Sequence, residues 1–305
     1  MIQPTVTADE ASQRRWDAIV IGAGPSGATA AREAALRGAS VLLVDRAAFP
    51  RQKICGCCLN LRVIDALRRM RLGHLLKENG AVTLHDVKIA AGGRSATLPL
   101  PDCAALSRGR FDAALIRAAI DAGVAFLPRT NAVTECVRDG VRTVSLGAAD
   151  QRVSAAAKVV IAAGGLGSDS SVRNAGIVTR VARRSRIGAA VILDDAPAAY
   201  AAGTTYMSSA PGGYVGLVRL EDGRLDVAAA FDASYVKRSG GLGRAAAEVI
   251  RRAGLPELDG LAEQRWHGTA TLTRRPSQVA CERLLLVGDA AGYVEPFTGE
   301  GIAGA

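Results

Sequence analysis

Short apolar runs, glycine-rich turns and segments of helical spacing alternate along the chain, and the first unit sets the pattern. Residues 16–21 form a nearly continuous apolar run of strand length that ends in Gly22-Ala23-Gly24-Pro25-Ser26-Gly27. An alanine-rich stretch over 28–36 and then Gly38 follow. That order predicts a buried strand, a tight turn, a helix and a helix stop. Pro25 suits the first helical turn, where a missing N–H costs nothing, and a second apolar run over 41–44 ends at Asp45. A complete βαβ unit is expected. Residues 46–58, rich in Arg, Pro, Gly and Cys, read as a loop. Asn60 then precedes a helix whose Val63, Ile64, Leu67 and Met70 share one face, with Gly73 as its end.

Residues 81–100 alternate around Gly92-Gly93 and predict a hairpin of a separate sheet. Helical spacing returns over 111–122, a short strand follows at 124–127, and 131–154 read as a small β meander. Residues 158–162 predict a buried strand running into a second glycine-rich turn, Ala163-Gly164-Gly165-Leu166-Gly167. From 177 to 275 the pattern changes to longer strands with one helix near 244–252, and a last strand over 284–287 delivers Gly288-Asp289. Gly240-Gly241-Leu242-Gly243 lacks a preceding apolar strand and a final glycine, so it reads as a loop before a helix. The expected class is α/β. A Rossmann-like nucleotide-binding domain is built from 1–80, 104–176 and 277–305, with an inserted, mainly β substrate domain from 81–103 and 177–276.

Composition narrows this picture. A chain of 305 residues, 49% hydrophobic and with 34 glycines spread throughout, suits an α/β protein with many tight turns, one large nucleotide-binding domain and a second, smaller one. The formal charge of +9 comes from scattered arginines with only 4% aromatics, which argues against nucleic acid and for anionic ligands such as FAD phosphates, an acidic carrier or a lipid headgroup, with peripheral membrane contact as a partner class. No leader-like apolar region opens the chain and no apolar run is long enough to span a bilayer, so a cytoplasmic protein is expected. The six cysteines then count as thiols. Cys55, Cys57 and Cys58 cluster, but their spacing matches no zinc site, and no metal is expected.

Two segments carry chemistry. In the G-x-G-x-x-G of Gly22, Gly24 and Gly27, the first glycine permits the turn, the second lets backbone N–H groups approach a pyrophosphate, and the third allows close helix packing; Asp45 accepts from a ribose hydroxyl. The second is Leu284-Leu285-Leu286-Val287-Gly288-Asp289-Ala290-Ala291, followed by Pro296 and Thr298-Gly299-Glu300-Gly301-Ile302. Here a strand presents Asp289 to a ribityl hydroxyl, and the glycine turn opens a helix whose N–H groups hold the pyrimidine end of a flavin. The two ends of one FAD molecule account for both segments.

Four stretches resemble the flavoprotein superfamily of geranylgeranyl reductases, p-hydroxybenzoate-hydroxylase-like monooxygenases and flavin halogenases. They are residues 21–27, Phe49-Pro50-Arg51-Gln52-Lys53-Ile54-Cys55-Gly56, Leu106-Ser107-Arg108-Gly109-Arg110-Phe111-Asp112, and 287–302. The likeness is to the geranylgeranyl-reductase-like branch. It implies that Ser26, Asp45, Gly56, Cys57, Leu59, Arg108, Ala132, Asp289, Gly301 and Ile302 lie around FAD, and that Cys55 is a loop cysteine at the catalytic centre. It also implies a small lipophilic or aromatic substrate, with transient NAD(P)H or an electron-carrier protein as reductant. The hydroxylase branch carries an A-D-G-x-x-S-x-V-R type segment, and Leu166 stands where its aspartate would be, with Asp169 nearby. Trp16 and Trp266 are too far apart for the halogenase W-x-W-x-I-P motif. Reduction of a carbon–carbon double bond leads, with a monooxygenase and a non-catalytic flavin-binding protein as alternatives. Tyr206, Tyr214 and Trp266 are cavity candidates, and His267 and Glu300 are acid–base candidates. In the resembled family a long helix follows G-E-G-I, so a longer natural chain is expected.

Overall fold

The computed structural model describes residues 1–148, 151–167, 172–295, 297 and 301–304. A short helix, α1 (Ala8–Ser12), precedes strand β1 (Arg15–Ile21), helix α2 (Pro25–Ala35) and strand β2 (Val41–Val44). β1 and β2 pair in parallel across α2, as the apolar pattern predicts. After strand β3 (Cys58–Leu59), Asn60 caps helix α3 (Leu61–Arg69) by accepting from the Val63 N–H at 3.3 Å. This helix stops before Gly73. Arg71 takes a left-handed φ of 58° and the Leu72 N–H reaches back to the Leu67 carbonyl at 2.7 Å, a Schellman-type end. Gly73 instead opens the next short helix, α4 (His74–Glu78).

The expected hairpin is β4 (Val82–Ala91) and β5 (Arg94–Ala105), turning at Gly92 and Gly93 with φ of 57° and 76°. Then come α5 (Arg108–Asp121), β6 (Ala125–Leu127), β7 (Ala132–Arg138), β8 (Val141–Ala148) and β9 (Gln151–Ala162). The last strand of the meander and the strand expected over 158–162 are one piece, because β9 pairs antiparallel with β8 and parallel with β1. Beyond lie β10 (Thr179–Val181), β11 (Ile187–Leu193), β12 (Thr204–Ala210), β13 (Gly213–Arg219) and β14 (Leu225–Phe231). Two helices follow where one was expected, α6 (Ala233–Ser239) and α7 (Leu242–Ala253), separated by Gly240 and Gly241, both with positive φ. Strands β15 (His267–Thr271), β16 (Arg274–Pro276), β17 (Ala280–Cys281) and β18 (Leu284–Leu286) complete the set.

These strands form two large sheets and a small antiparallel pair, β10 with β16. The first has the order β17-β18-β9-β1-β2-β6 and is parallel from β18 to β6, with α2 and α5 packed on one face and α1 and β8 on the other. Burial on both faces explains why its strands read as unbroken apolar runs. The second has the order β15-β11-β14-β13-β12-β4-β5-β3, and Ala245, Ala246, Val249 and Ile250 of α7 cover one of its faces. The opposite face follows from the register. One row across it is Ile89, Met207, Gly216, Ala228 and Ala190, and the next is Val87, Thr205, Val218, Asp226 and Ile192. The loop over 51–58 lies against this face, where a Cβ on Gly56 would stand 3.9 Å from the Ala228 Cβ. The fold class is thus α/β, a Rossmann-like unit joined to a mainly β unit.

Candidate functional site

The first glycine-rich turn is shaped by two different demands. A Cβ on Gly22 would sit 2.4 Å from the Ala163 carbonyl oxygen, and one on Gly27 would sit 1.8 Å from the Gly22 carbonyl oxygen. Packing of the chain on itself excludes side chains there. Gly24 differs. A Cβ there would meet only the guanidinium ends of Arg51 at 3.6 Å and Arg108 at 3.9 Å. Gly24 caps α2 without a side-chain bond, so no cap side chain takes up the N–H groups of the first turn, which contains Ser26, and two guanidinium groups stand beside the cap. Backbone donors, the positive end of the helix and two fixed cations together make an anion cradle.

Carboxylates hold those cations in place. Arg108 grips Asp112 with a fork, Nε to Oδ1 at 2.8 Å and Nη2 to Oδ2 at 3.0 Å, and Arg51 Nη2 lies 3.5 Å from the same Oδ2. Asp112 is fully buried one turn into α5. The sequence pattern contained Asp112 and Arg51 inside quoted motifs but assigned them no role; a buried acid at the fourth position after an arginine was the available signal. Asp45, buried at the end of β2, accepts from the Ala23 N–H at 2.7 Å and the Ala47 N–H at 2.8 Å, and Arg51 Nη1 lies 3.6 Å away. It therefore orders the turn besides having acceptor capacity left for a hydroxyl. Arg51 Nε is buried with no partner, an orphaned donor at the cradle.

The turn over 163–167 packs directly on Gly22, and on its other side it meets Lys53 and Asp289. A Cβ on Gly165 would stand 3.7 Å from Lys53 Nζ and 3.9 Å from Asp289 Oδ2. Lys53 as a whole is exposed, yet desolvation around its amine, then the charge of Arg51, pushes that amine below its ordinary value. Burial raises the Asp289 carboxyl, and Lys53 and Arg108 work against that rise. Cys55 lies beside Arg108; a hydrogen bond from the Cys57 thiol, reinforced by the guanidinium, pulls its thiol well down despite burial. Tyr293 faces Asp289 and Cys55, and burial with those negative neighbours holds its hydroxyl proton on.

The other expected positions fall as follows. Leu59 is fully buried and Ile302 half-buried in the core that packs α2 and α5, and Gly301 is half-buried beside Ile302. Ala132 opens β7 two residues after Thr130, whose N–H bonds the Asp45 carbonyl at 3.0 Å. Cys57 is buried and Gly56 exposed in the loop. Pro296, Thr298, Gly299, Glu300 and Asp169 lie outside the described residues, and 301–304 form turns. Tyr206 is a core residue edge-on to Tyr200 at 4.9 Å, Trp266 bonds the Leu261 carbonyl, and His267 is exposed on β15. Tyr214 packs with Met207, Leu272 and Tyr293, next to Leu166, Val87 and Ile89. That apolar cluster lies on the sheet face turned to the loop.

The donor set fits FAD. An anion cradle, an orphaned guanidinium N–H and two carboxylates at opposite ends suit a pyrophosphate flanked by hydroxyl-bearing groups. The family model described as "FAD binding domain" matches residues 15–305. The chain belongs to the FAD-binding domain family. FAD is its cofactor. It is 37% identical over 87 residues to a menaquinone reductase of Mycolicibacterium smegmatis, 28% of this chain and 21% of that protein. It is 28% identical over 304 residues to a digeranylgeranylglycerophospholipid reductase of Methanocella arvoryzae, 95% of this chain and 74% of that protein. A geranylgeranyl bacteriochlorophyll reductase-like structure from Thermoplasma acidophilum shares the fold at a TM-score of 0.77 and 23% identity, covering 95% of this chain and 75% of that one. No helix among the described residues is long and apolar enough to cross a membrane.

Proposed function

We propose that this chain reduces a carbon–carbon double bond of a lipophilic, isoprenoid-type molecule in an FAD-dependent reaction. The observation that carries this is the row of small and apolar residues, Ile89, Met207, Gly216, Ala228 and Ala190, turned toward the loop that presents Lys53 and Cys55. Such a surface favours an apolar substrate. The reductase names of the two relatives support the reductive direction. Bound FAD supplies the hydride. Gly24, Ser26, Arg51 and Arg108 hold the pyrophosphate, Asp45 and Asp289 take ribose and ribityl hydroxyls, and the sheet face excludes water over the reacting end. Gly56, Cys57, Leu59, Ala132, Gly301 and Ile302 line the cofactor. Cys55 shapes the reacting end as an anion, and Tyr293 keeps a proton there for the second carbon. The mainly β unit holds the substrate, and reducing equivalents come from transient NAD(P)H or a carrier protein.

The test uses chemically reduced protein under anaerobic conditions with polyprenyl and phenolic substrates. A polyprenyl product gaining two hydrogens is expected, and Tyr293→Phe slows turnover at least tenfold without changing FAD affinity, the order expected for one general acid. Product formed only in oxygen, carrying a new oxygen atom, refutes the reductive reading.

A further inference from the structure

Three thiols lie within four residues of the loop, and they are not equivalent. Cys55 is half-buried beside Arg108. Cys57 is buried and takes a φ of 52°, a conformation that side-chain-bearing residues adopt rarely, and this turns its Sγ to 3.7 Å from the Cys55 carbonyl oxygen and against the Cys55 thiol. Cys58 points elsewhere, with Sγ 3.6 Å from Thr205 Oγ. Under the pair lies Asp226 of β14, only 2% exposed, flanked in its row by Val218 and Ile192, with Oδ2 making no hydrogen bond. The Cys57 thiol approaches this carboxyl. A buried acid with an empty acceptor position is costly as plain packing and suits a group that exchanges a proton with its neighbour.

We propose that Cys55, Cys57 and Asp226 form a thiol–disulfide redox couple oxidised by a hydroperoxide, with Cys55 the attacking sulfur, Cys57 the resolving sulfur and Asp226 the base for Cys57. The Cys55 thiolate attacks one peroxide oxygen, the O–O bond breaks, and the leaving hydroxide takes a solvent proton; Cys55 becomes a sulfenic acid. With the Cys55 charge gone, Asp226 gives up its own proton to solvent and then, as carboxylate, takes the Cys57 proton. The Cys57 sulfur attacks the Cys55 sulfur, the S–S bond forms as the S–O bond breaks, and the departing hydroxide leaves as water with the proton held by Asp226. Two thiols lose two electrons, and one hydrogen peroxide becomes two waters. Electrostatics times the steps. Burial first, and the Cys55 charge second, keep Asp226 protonated; oxidation of Cys55 removes that charge, so Asp226 ionises more readily when Cys57 needs a base. This couple goes beyond the proposed reduction and does not depend on its substrate.

The experiment titrates the FAD-bound protein with hydrogen peroxide, alkylates it unfolded, and weighs the tryptic peptide over 54–62. The wild-type peptide is expected to lose about 2 Da and to take one alkyl group instead of three, as a disulfide requires. Cys58→Ser keeps that loss, whereas Cys57→Ser abolishes it and leaves a dimedone-trappable sulfenic acid at Cys55. Asp226→Asn slows closure roughly tenfold or more at neutral pH, as expected for removal of a general base, and the deficit shrinks as pH rises. A wild-type peptide that only gains oxygen, a bridge to Cys58, or closure in Asp226→Asn at the wild-type rate overturns the proposal.

Discussion

Asp112→Asn separates structural from cofactor roles of the charge cluster. The native carboxylate is fully buried, takes both arms of the Arg108 fork at 2.8 and 3.0 Å, and stands 3.5 Å from Arg51. Asparagine keeps the shape and one acceptor but removes the charge, leaving two nearly buried guanidinium groups facing one another. Breaking a buried pair in this way costs about 3–5 kcal/mol. The retained acceptor places this variant near the lower end, ~3 kcal/mol, or about a hundredfold in the folded-to-unfolded ratio. Urea unfolding of wild type and variant, each with and without saturating FAD, measures it. If the pyrophosphate lies between Arg51 and Arg108, its negative charge replaces the lost one, and the penalty with FAD falls by roughly 1 kcal/mol or more, the size of a charge-assisted hydrogen bond. A penalty below about 1 kcal/mol without FAD refutes the buried-pair argument, since surface pairs are worth no more than that. An equal penalty in both conditions refutes the placement of the pyrophosphate.

Two further tests use the same protein. Gly24→Ala should fold normally and lose FAD affinity by about tenfold or more, because its Cβ meets only guanidinium ends, whereas Gly27→Ala should fail to give native unfolding cooperativity, with a Cβ 1.8 Å from a carbonyl oxygen; fluorescence titration and urea curves read the two. Asp226 has a folded-state pKa raised above its ordinary 3.8, so its favourable contribution is complete below that value and is lost as pH rises toward the folded pKa. Stability of wild type relative to Asp226→Asn should therefore fall as pH rises from about 4, and a difference independent of pH would contradict burial of the acid.

Much of the fold was legible because each strand of the parallel sheet is buried on both faces and each turn is punctuated by glycine. Residues 16–45 announced strand, turn, helix and strand in order, and Gly92-Gly93 announced the hairpin. The end of α3 was misread because the left-handed residue is Arg71, which carries no glycine signal. The helix pair around Gly240-Gly241 was read as one helix because α6 is only seven residues long, too short for a periodic pattern to stand out. Asp226 and Tyr293 were missed as candidates, since Asp226 lies in no motif, Tyr293 stands at an unassigned position of the stretch 287–302, and each matters through what packs beside it.

By itself the sequence determined the α/β class, the βαβ start and the two glycine-rich turns, because backbone conformation and apolar periodicity are local properties. Only the tertiary structure decided that Gly22 and Gly27 serve packing while Gly24 faces cations, that Asp112 binds Arg108 and Arg51 together, and that Lys53 stands beside Gly165 and Asp289. It also set Cys57 over Asp226, residues far apart in the chain. Distances between such groups depend on how the two sheets pack, and the charge each group carries depends on burial, which no window along the chain contains.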